Sequence, residues 1–335
     1  MSKRVLMVRW NNMGDVIMAL PAAATIRKSA PDTHLAWFID SGLRELVDDH
    51  PWFEAVYTFD RKKYRGHELN PSLWRMYWES LTQGRRFKPD ITINLRGHLR
   101  EAIACRFTGA KENYILQPRG YLAKLIGGKA VKVDKNRHAI ERFLDVVEAA
   151  GFSPRTYKFH LPIKQDHIDF VDTHVGKGGW ITIHVGSGDF RKIWPPERFA
   201  RVAKALQSEG YEIVLLGGAN ENWLRDRFCF ITRAKDFVGR TSLLQMAEII
   251  KRGRLHLSNA SGSAHLAAAF GAPCVRVFGV KPSSVYHPFN QPESVIESKG
   301  KMMNIPAEIV TEKCFQRLEE TQTKFQIDML SHSDV

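Results

Sequence analysis

Short apolar runs alternate with amphipathic stretches along most of this chain, and the alternation starts twice. RVLMVRW (4–10), HLAWFID (34–40), AVYTF (55–59) and ITINL (91–95) read as strands in the first half. WITIHV (180–185), EIVLLGG (212–218), RLHLS (254–258) and PCVRVFG (273–279) do so in the second. The first set is interleaved with helical patterns over 15–29, with Pro21 inside, and over 43–49, 71–83, 98–107 and 137–150, the last ending at Gly151. The second set is interleaved with helical patterns over 196–208, 221–231, 241–251, 263–270 and 305–321. Strands that are apolar on both faces belong to parallel sheets covered by helices on each side. Two such blocks predict an α/β chain with two doubly wound domains. Residues 151–179 lack periodicity and read as the connection between them, and the reading divides the chain into 1–165 and 166–335. Ligands of such folds bind at the carboxyl ends of the strands, here in a cleft between the blocks.

Charge narrows the partners. There are 49 Lys and Arg against 36 Asp and Glu, a net charge of +13, so anionic partners are expected: nucleic acid, an anionic membrane or phosphorylated substrates. Residues 61–88 concentrate the excess, with Arg61, Lys62, Lys63, Arg65, Arg75, Arg85, Arg86 and Lys88 against Glu68 and Glu79, and with Tyr64, Trp74, Tyr77 and Trp78 between them. Such a stretch suits an anionic, partly lipidic ligand, or is a solvated helix face whose aromatics reach the core. No nucleic-acid module surrounds it, so nucleic acid is not expected. Cys105, Cys229, Cys274 and Cys314 form neither a disulfide framework nor a zinc pattern, which fits a reducing cytosol. The N-terminus does not read as a signal peptide, and no apolar stretch is long enough for a transmembrane helix, so membrane contact is expected to be peripheral.

Three loops carry chemistry. Trp10-Asn11-Asn12-Met13-Gly14-Asp15 follows the first strand. Gly14 permits a tight turn, and Asp15 is either a capping carboxylate or a general base. His184-Val185-Gly186-Ser187-Gly188-Asp189-Phe190-Arg191-Lys192 leaves a strand toward a helix. Its glycines allow close backbone approach and Lys192 adds charge, which suits a diphosphate; an ordinary βα loop is the bland alternative. It is neither a P-loop nor the dinucleotide fingerprint. Ser258-Asn259-Ala260-Ser261-Gly262-Ser263-Ala264-His265 ends another strand and opens an alanine-rich helix. There His265 serves the site or merely packs. After Gly217-Gly218, Glu221 could hold ribose hydroxyls or be an exposed helix-start acid. Asp-x-Asp, Gly-x-Ser-x-Gly and His-Glu-x-x-His are absent, which argues against a metal-bound nucleotide-sugar site and two hydrolase types.

Taken in order, VLMVRWNNMGDVIMALPAAATIRKSAPDTHLAWFID, PDITINLRGHLREAIACRFTGA, HAIERFLDVVEAAG, HVGSGDFRKIWPPERFARVAKAL, VLLGGANE and FVGRTSLLQMAEIIKRGRLHLSNASGSAHLAAAFGAPCVRVFG resemble the ADP-heptose:lipopolysaccharide heptosyltransferases, glycosyltransferase family 9. The resemblance covers most of the chain. It implies the GT-B architecture, two Rossmann-like domains facing across a cleft, with an acceptor-binding domain over 1–165 and an ADP-sugar-binding domain over 166–335. It also implies an inverting, metal-independent transfer of heptose from ADP-heptose to Kdo-lipid A or the heptosylated inner core of lipopolysaccharide. No cofactor is implied. Location in the cytoplasm, on the inner face of the inner membrane, is. Asp15 falls on the proposed general base. Ser187, Gly188 and Lys192 fall on the donor-phosphate loop, Glu221 on the ribose acid, and Ser261, Gly262 and His265 on the segment around the diphosphate. Leu243 and Met246 would flank the adenine, and Asn12, Arg61, Lys62, Lys63, Arg65 and Arg96 would meet the acceptor. The family usually has Asp where this chain has Ala260, and that carboxylate would contact donor-sugar hydroxyls. An engineered inactive form, a member with changed donor preference and a degraded transferase are all open. The alternatives to lipopolysaccharide heptosyl transfer are a family member acting on another acceptor and a nucleotide-sugar-binding protein with impaired turnover.

Overall fold

The structure, a computed structural model, describes residues 2–60, 63, 71–279, 283–298 and 300–331. It divides into two compact units, Met1–Pro162 and Ile163–Val335.

The first unit runs β1 (Arg4–Val8), α1 (Met13–Ser29), β2 (His34–Asp40), β3 (Ala55–Phe59), α2 (Pro71–Arg86), β4 (Ile91–Asn94), α3 (Leu99–Phe107), β5 (Glu112–Leu116), α4 (Tyr121–Ile126), β6 (Lys129–Val131) and α5 (Ala139–Ala149). The sheet order is β3-β2-β1-β4-β5-β6, and every pair is parallel. β1 and β4 therefore flank the switch point, where successive crossovers leave in opposite directions. Helix α1 is buried nearly all round, from Gly14 to Ile26, as a helix without a polar face must be. Trp10 fixes the turn after β1 by stacking on Phe59, with ring centroids 4.5 Å apart, and meeting Phe38 edge-on at 5.5 Å. The expected helix over 43–49 is instead a 3-10 turn, Ser41–Leu46, capped by Asp40.

The second unit runs α6 (Gln165–His174), β7 (Ile181–His184), α7 (Pro196–Ser208), β8 (Ile213–Leu216), α8 (Asn222–Cys229), β9 (Lys235–Asp236), α9 (Leu243–Arg252), β10 (Leu255–Asn259), α10 (Ser263–Ala269), β11 (Cys274–Phe278), β12 (Val295–Glu297) and α11 (Ala307–Ser331). Its order, β12-β11-β10-β7-β8-β9, repeats that of the first sheet, with β7 and β10 at the switch point. All its pairs are parallel too. One face of this sheet is apolar: Ile181, Ile183, Leu255, Leu257, Val275 and Val277 join Phe199 of α7 and Val310 of α11 in a single core. The alternate residues Thr182, His184, His256, Ser258 and Arg276 are buried as well, so the other face carries a polar layer.

The stretch expected as an irregular connection contains α6. Its helical signal is short, because the only fully buried side chain in α6 is Val171. Ahead of it, Arg155 is held by Glu141, Asp145 and Glu148 at 2.5–2.8 Å, which ties the connection to α5.

Candidate active site

In the first unit, the carboxyl ends of β1 and β4 bring one set of candidate residues together. Asp15 is the third residue of α1, and its Oδ2 accepts from the Asn12 N–H at 3.1 Å and pairs with Arg9 Nη2 at 2.6 Å. Arg9 is buried and its Nη1 donates to the Leu95 carbonyl at 2.9 Å, so the ion pair stitches the two switch-point loops together. The capping role read for Asp15 is real, but it occupies one oxygen only. Oδ1 takes no hydrogen bond among the described residues, and the side chain keeps 19% exposure.

Helix α3 repeats this arrangement. Its third residue is Glu101, almost wholly buried, and it pairs with Arg96 Nη1 at 3.3 Å. Burial lowers the Arg96 pKa, and the charge of Glu101 acts against that shift. Asn94 Oδ1 accepts from the Arg96 and Gly97 N–H groups at 3.0 and 3.3 Å. Gly97 has φ +79°, and a Cβ there would lie 2.1 Å from the Leu116 carbonyl oxygen, so the loop closes only around a glycine. Trp10, Phe59, Arg96, His98, Leu99, Arg100 and Glu101 line a cavity of about 500 Å³. His98 is pushed down to about 4, first by burial and then by Arg96, Arg119 and Arg9, so its ring is neutral near pH 7. The Trp10 Nε1 and both polar atoms of the Asn11 amide are buried and have no hydrogen-bond partner among the described residues.

In the second unit the polar layer surfaces at the ends of β7, β8 and β10. His184 Nε2 lies 3.0 Å from Glu221 Oε2 and its Nδ1 lies 2.9 Å from Ser263 Oγ. Ser263 Oγ lies 2.9 Å from His256 Nε2, and His256 Nδ1 lies 2.9 Å from Thr182 Oγ1. Ser261 Oγ joins at 2.7 Å from Ser263 Oγ. Burial opposes the charge on Glu221, yet His184 and the Gly218 N–H, which donates at 2.8 Å, outweigh it and hold the carboxyl below its usual range. Burial pushes His256 down to about 3. A Cβ on Gly186 would fall 1.8 Å from the Glu221 carboxylate, so the glycine makes room for the acid. Asn259, fully buried, clamps the neighbouring loop: its Oδ1 accepts from the Trp194 N–H at 2.8 Å and its Nδ2 donates to the Val185 carbonyl at 2.6 Å.

Among the sequence candidates, Asp15 and Arg96 meet around the first switch point, and Glu221 and Ser261 meet through His184 at the second. Glu221 is not the exposed helix-start acid of the bland reading: its side chain is 20% exposed and belongs to the network. Gly262 caps α10, and half-buried Ala260 presents only a methyl group beside it. Ser187 is half-buried and Gly188 exposed, and a Cβ on Gly188 would touch nothing within 4 Å. Lys192 stands in a 3-10 turn, Phe190–Lys192, ahead of α7 rather than at its start, because Pro195 and Pro196 delay the helix. His265 is buried, with its Nε2 3.3 Å from Arg276 Nη1. Leu243 and Met246 open α9, the first half-buried and the second buried. Asn12 is exposed at the α1 cap. Lys63 is exposed and pairs with Asp60 at 3.4 Å, while Arg61, Lys62 and Arg65 lie outside the described residues. Arg9, Glu101 and His256 were not singled out from sequence, and His184 and Asn259 were named only as members of their loops, without a role. An acid three residues past the His98 cap was the one available signal for Glu101. Among the described residues, no group of three or more His, Cys, Asp and Glu could hold a metal ion.

Residues 77–312 match the family model of Glycosyltransferase family 9 (heptosyltransferase). The chain belongs to that family. This family 9 glycosyltransferase is 26% identical over 294 residues to Lipopolysaccharide heptosyltransferase 1 of Pseudomonas aeruginosa, covering 82% of this chain and 78% of that one. Its fold is that of a glycosyltransferase family 9 structure from Veillonella parvula, with TM-score 0.80, 23% identity and coverage of 95% and 97%. It is equally that of E. coli heptosyltransferase WaaC with ADP, with TM-score 0.80, 20% identity and coverage of 94% and 99%. The GT-B fold class expected from the sequence holds for this family 9 member.

Proposed function

We propose that this family 9 glycosyltransferase moves heptose from ADP-heptose to the Kdo or heptose region of the lipopolysaccharide inner core, with inversion and without a metal ion. The single observation that carries the reading is the state of Asp15, a carboxylate with one oxygen held by an arginine and a backbone N–H and the other open. Such a group can take a proton from an acceptor hydroxyl as that hydroxyl attacks the anomeric carbon from the face opposite the leaving ADP. Unit 1 would hold the acceptor, with Arg96, Asn12 and the basic residues Arg61, Lys62, Lys63 and Arg65 meeting its anionic groups. Unit 2 would hold the donor, with Glu221 on the ribose hydroxyls and Leu243 and Met246 beside the adenine. Ser187, Gly188, Lys192, Ser261, Gly262 and His265 would lie around the diphosphate. Cationic and N–H donors there would stabilise the leaving group in the role a metal plays elsewhere. The names of the relatives, lipopolysaccharide heptosyltransferases 1 and 3, support the substrate class.

No helix among the described residues is long and apolar enough to cross a membrane. We place the enzyme at the cytoplasmic face of the inner membrane because its proposed acceptor is lipid-linked. Ala260 favours one second reading, a donor-binding protein with weak turnover. Calorimetric titration with ADP, UDP and GDP in chelator-treated buffer, followed by transfer from ADP-heptose to Kdo-lipid A, tests both. Selective ADP binding with transfer in chelator is the expected result. ADP binding without transfer leaves the second reading, and preference for UDP or GDP overturns ADP-heptose as the donor.

A further inference from the structure

Helix α4 and strand β6 form a surface that neither the fold nor the site explains. Tyr121, Leu122 and Leu125 are 78%, 55% and 68% exposed, on one side of a single helical segment whose Ala123 is buried against the unit. Exposed cations precede, interrupt and follow this helix along the chain: Arg119, Lys124, Lys129, Lys132 and Lys135. Acids in the same region are few. Asp134 is exposed, and Glu112 is already paired with Lys129 at 2.6 Å. The patch is joined directly to the cavity lined by Trp10, Arg96 and His98. The Arg119 N–H donates to the Gly97 carbonyl at 2.7 Å, and its Nη1 lies 3.3 Å from His98 Nε2, a wall of that cavity.

The geometry points to this surface as the place where unit 1 docks on an anionic phospholipid bilayer. An apolar centre with a cationic rim matches the two layers of a lipid surface: side chains enter the acyl boundary while ammonium and guanidinium groups meet headgroup phosphates. A second copy of the chain fits less well, because a two-fold interface would set the same five cations against themselves. The surface bordering the acceptor cavity then faces the membrane, so a lipid-linked sugar could enter without leaving the bilayer. This deepens the reading of unit 1 as the acceptor side and rests on it.

The test is co-sedimentation of the full chain with vesicles of phosphatidylglycerol and phosphatidylethanolamine, compared with pure phosphatidylcholine. Salt-sensitive binding to the anionic vesicles is expected. The triple variant Tyr121→Ser, Leu122→Ser, Leu125→Ser should lose at least tenfold in partitioning, as should Lys124→Glu with Lys132→Glu. Both should keep the parent's circular dichroism and melting temperature, since these side chains are exposed. Transfer to a delipidated, soluble acceptor should stay at the parent's rate in the triple variant. Parent-like partitioning of the triple variant overturns the proposal, and so does equal binding to neutral vesicles. A shift from dimer to monomer in the triple variant by analytical ultracentrifugation also overturns it, in favour of a self-association face. Vesicle binding is read without any sugar donor, so failed heptosyl transfer would sink the functional reading while leaving this result standing.

Discussion

At Asp15, one carboxylate oxygen does structural duty and the other is open to chemistry. Asp15→Asn keeps the shape and the acceptor for the Asn12 N–H but removes the base. Transfer should fall on the order of 10²–10⁴-fold, with ADP affinity by calorimetry close to the parent's; unaltered turnover would return Asp15 to a capping role. Ala260→Asp supplies the carboxylate that the family resemblance leads one to expect beside the Ser-Gly, and kcat/KM for ADP-heptose should rise. An unchanged value would mean that this chain handles the sugar hydroxyls by other groups. Sequence and structure divide here along a physical line. Asp15, Glu221 and Ser261 stood out in the sequence because each follows closely on an apolar run, where a strand gives way to the next element. Arg9, Glu101, His256 and Asn259 did not, because their roles come from partners distant in the chain or from burial that no local pattern encodes. Arg9 meets the Leu95 carbonyl across 86 positions and Asn259 meets Trp194 across 65.

Elements show the same division. The central strands are short apolar runs and were readable, with β2 and β3 falling on the residues expected. Strands β6, β9 and β12, of three, two and three residues, are too brief for any periodicity to register. Helix α4 has a core-like composition but faces outward, which composition cannot reveal. The loops that bring the elements together can be probed one at a time. Gly97→Ala forces a side chain into a left-handed conformation and against the Leu116 carbonyl. It should cost about 1–3 kcal/mol or more, read as a lower urea midpoint. Asn259→Ala leaves the buried Trp194 N–H and Val185 carbonyl without their partner. It should destabilise the chain by about 1–3 kcal/mol and raise the Kd for ADP, because the loop carrying Ser187 and Lys192 loses its anchor. Stability loss with unchanged ADP affinity would make Asn259 purely structural.

For the molecule as a whole, pH should act through histidines held neutral. His50 and His98 are pushed down to about 4 and His256 to about 3, burial being the largest cause in each. The unfolded chain takes up these protons near pH of about 6.5, so between the two values it binds more protons than the folded one. Stability is therefore greatest above that range and declines as pH falls toward 4. The Glu221 contribution is lost lower still, as pH passes down through its depressed folded value. The melting temperature should drop steadily from pH 7 to pH 4, and His256→Gln should flatten the slope. A pH-independent melting temperature would show that these rings take up protons in the folded chain as readily as in the unfolded one.

The polar layer of the second sheet also has a direction. Glu221 is held in its charged form, so His184 donates to it from Nε2, and in the tautomer that carries a proton on Nε2 alone its Nδ1 accepts from the Ser263 hydroxyl. Ser263 then accepts from His256 Nε2–H, and His256 Nδ1 accepts from Thr182. Every contact of 2.9–3.0 Å along the chain is satisfied in this way, and the longer contacts, Thr182 to the Leu255 carbonyl at 3.2 Å and Ser261 Oγ to His184 Nδ1 at 3.4 Å, go unserved. Four protons thus point the same way, head to tail, toward one carboxylate. Aligned dipoles reinforce one another in a low-dielectric interior, so the layer adds to the hold that His184 and the Gly218 N–H have on the Glu221 carboxylate. With both rings as Nε2–H tautomers, their nitrogen resonances should respond to Ser261→Ala, which removes the side branch at Ser263 Oγ.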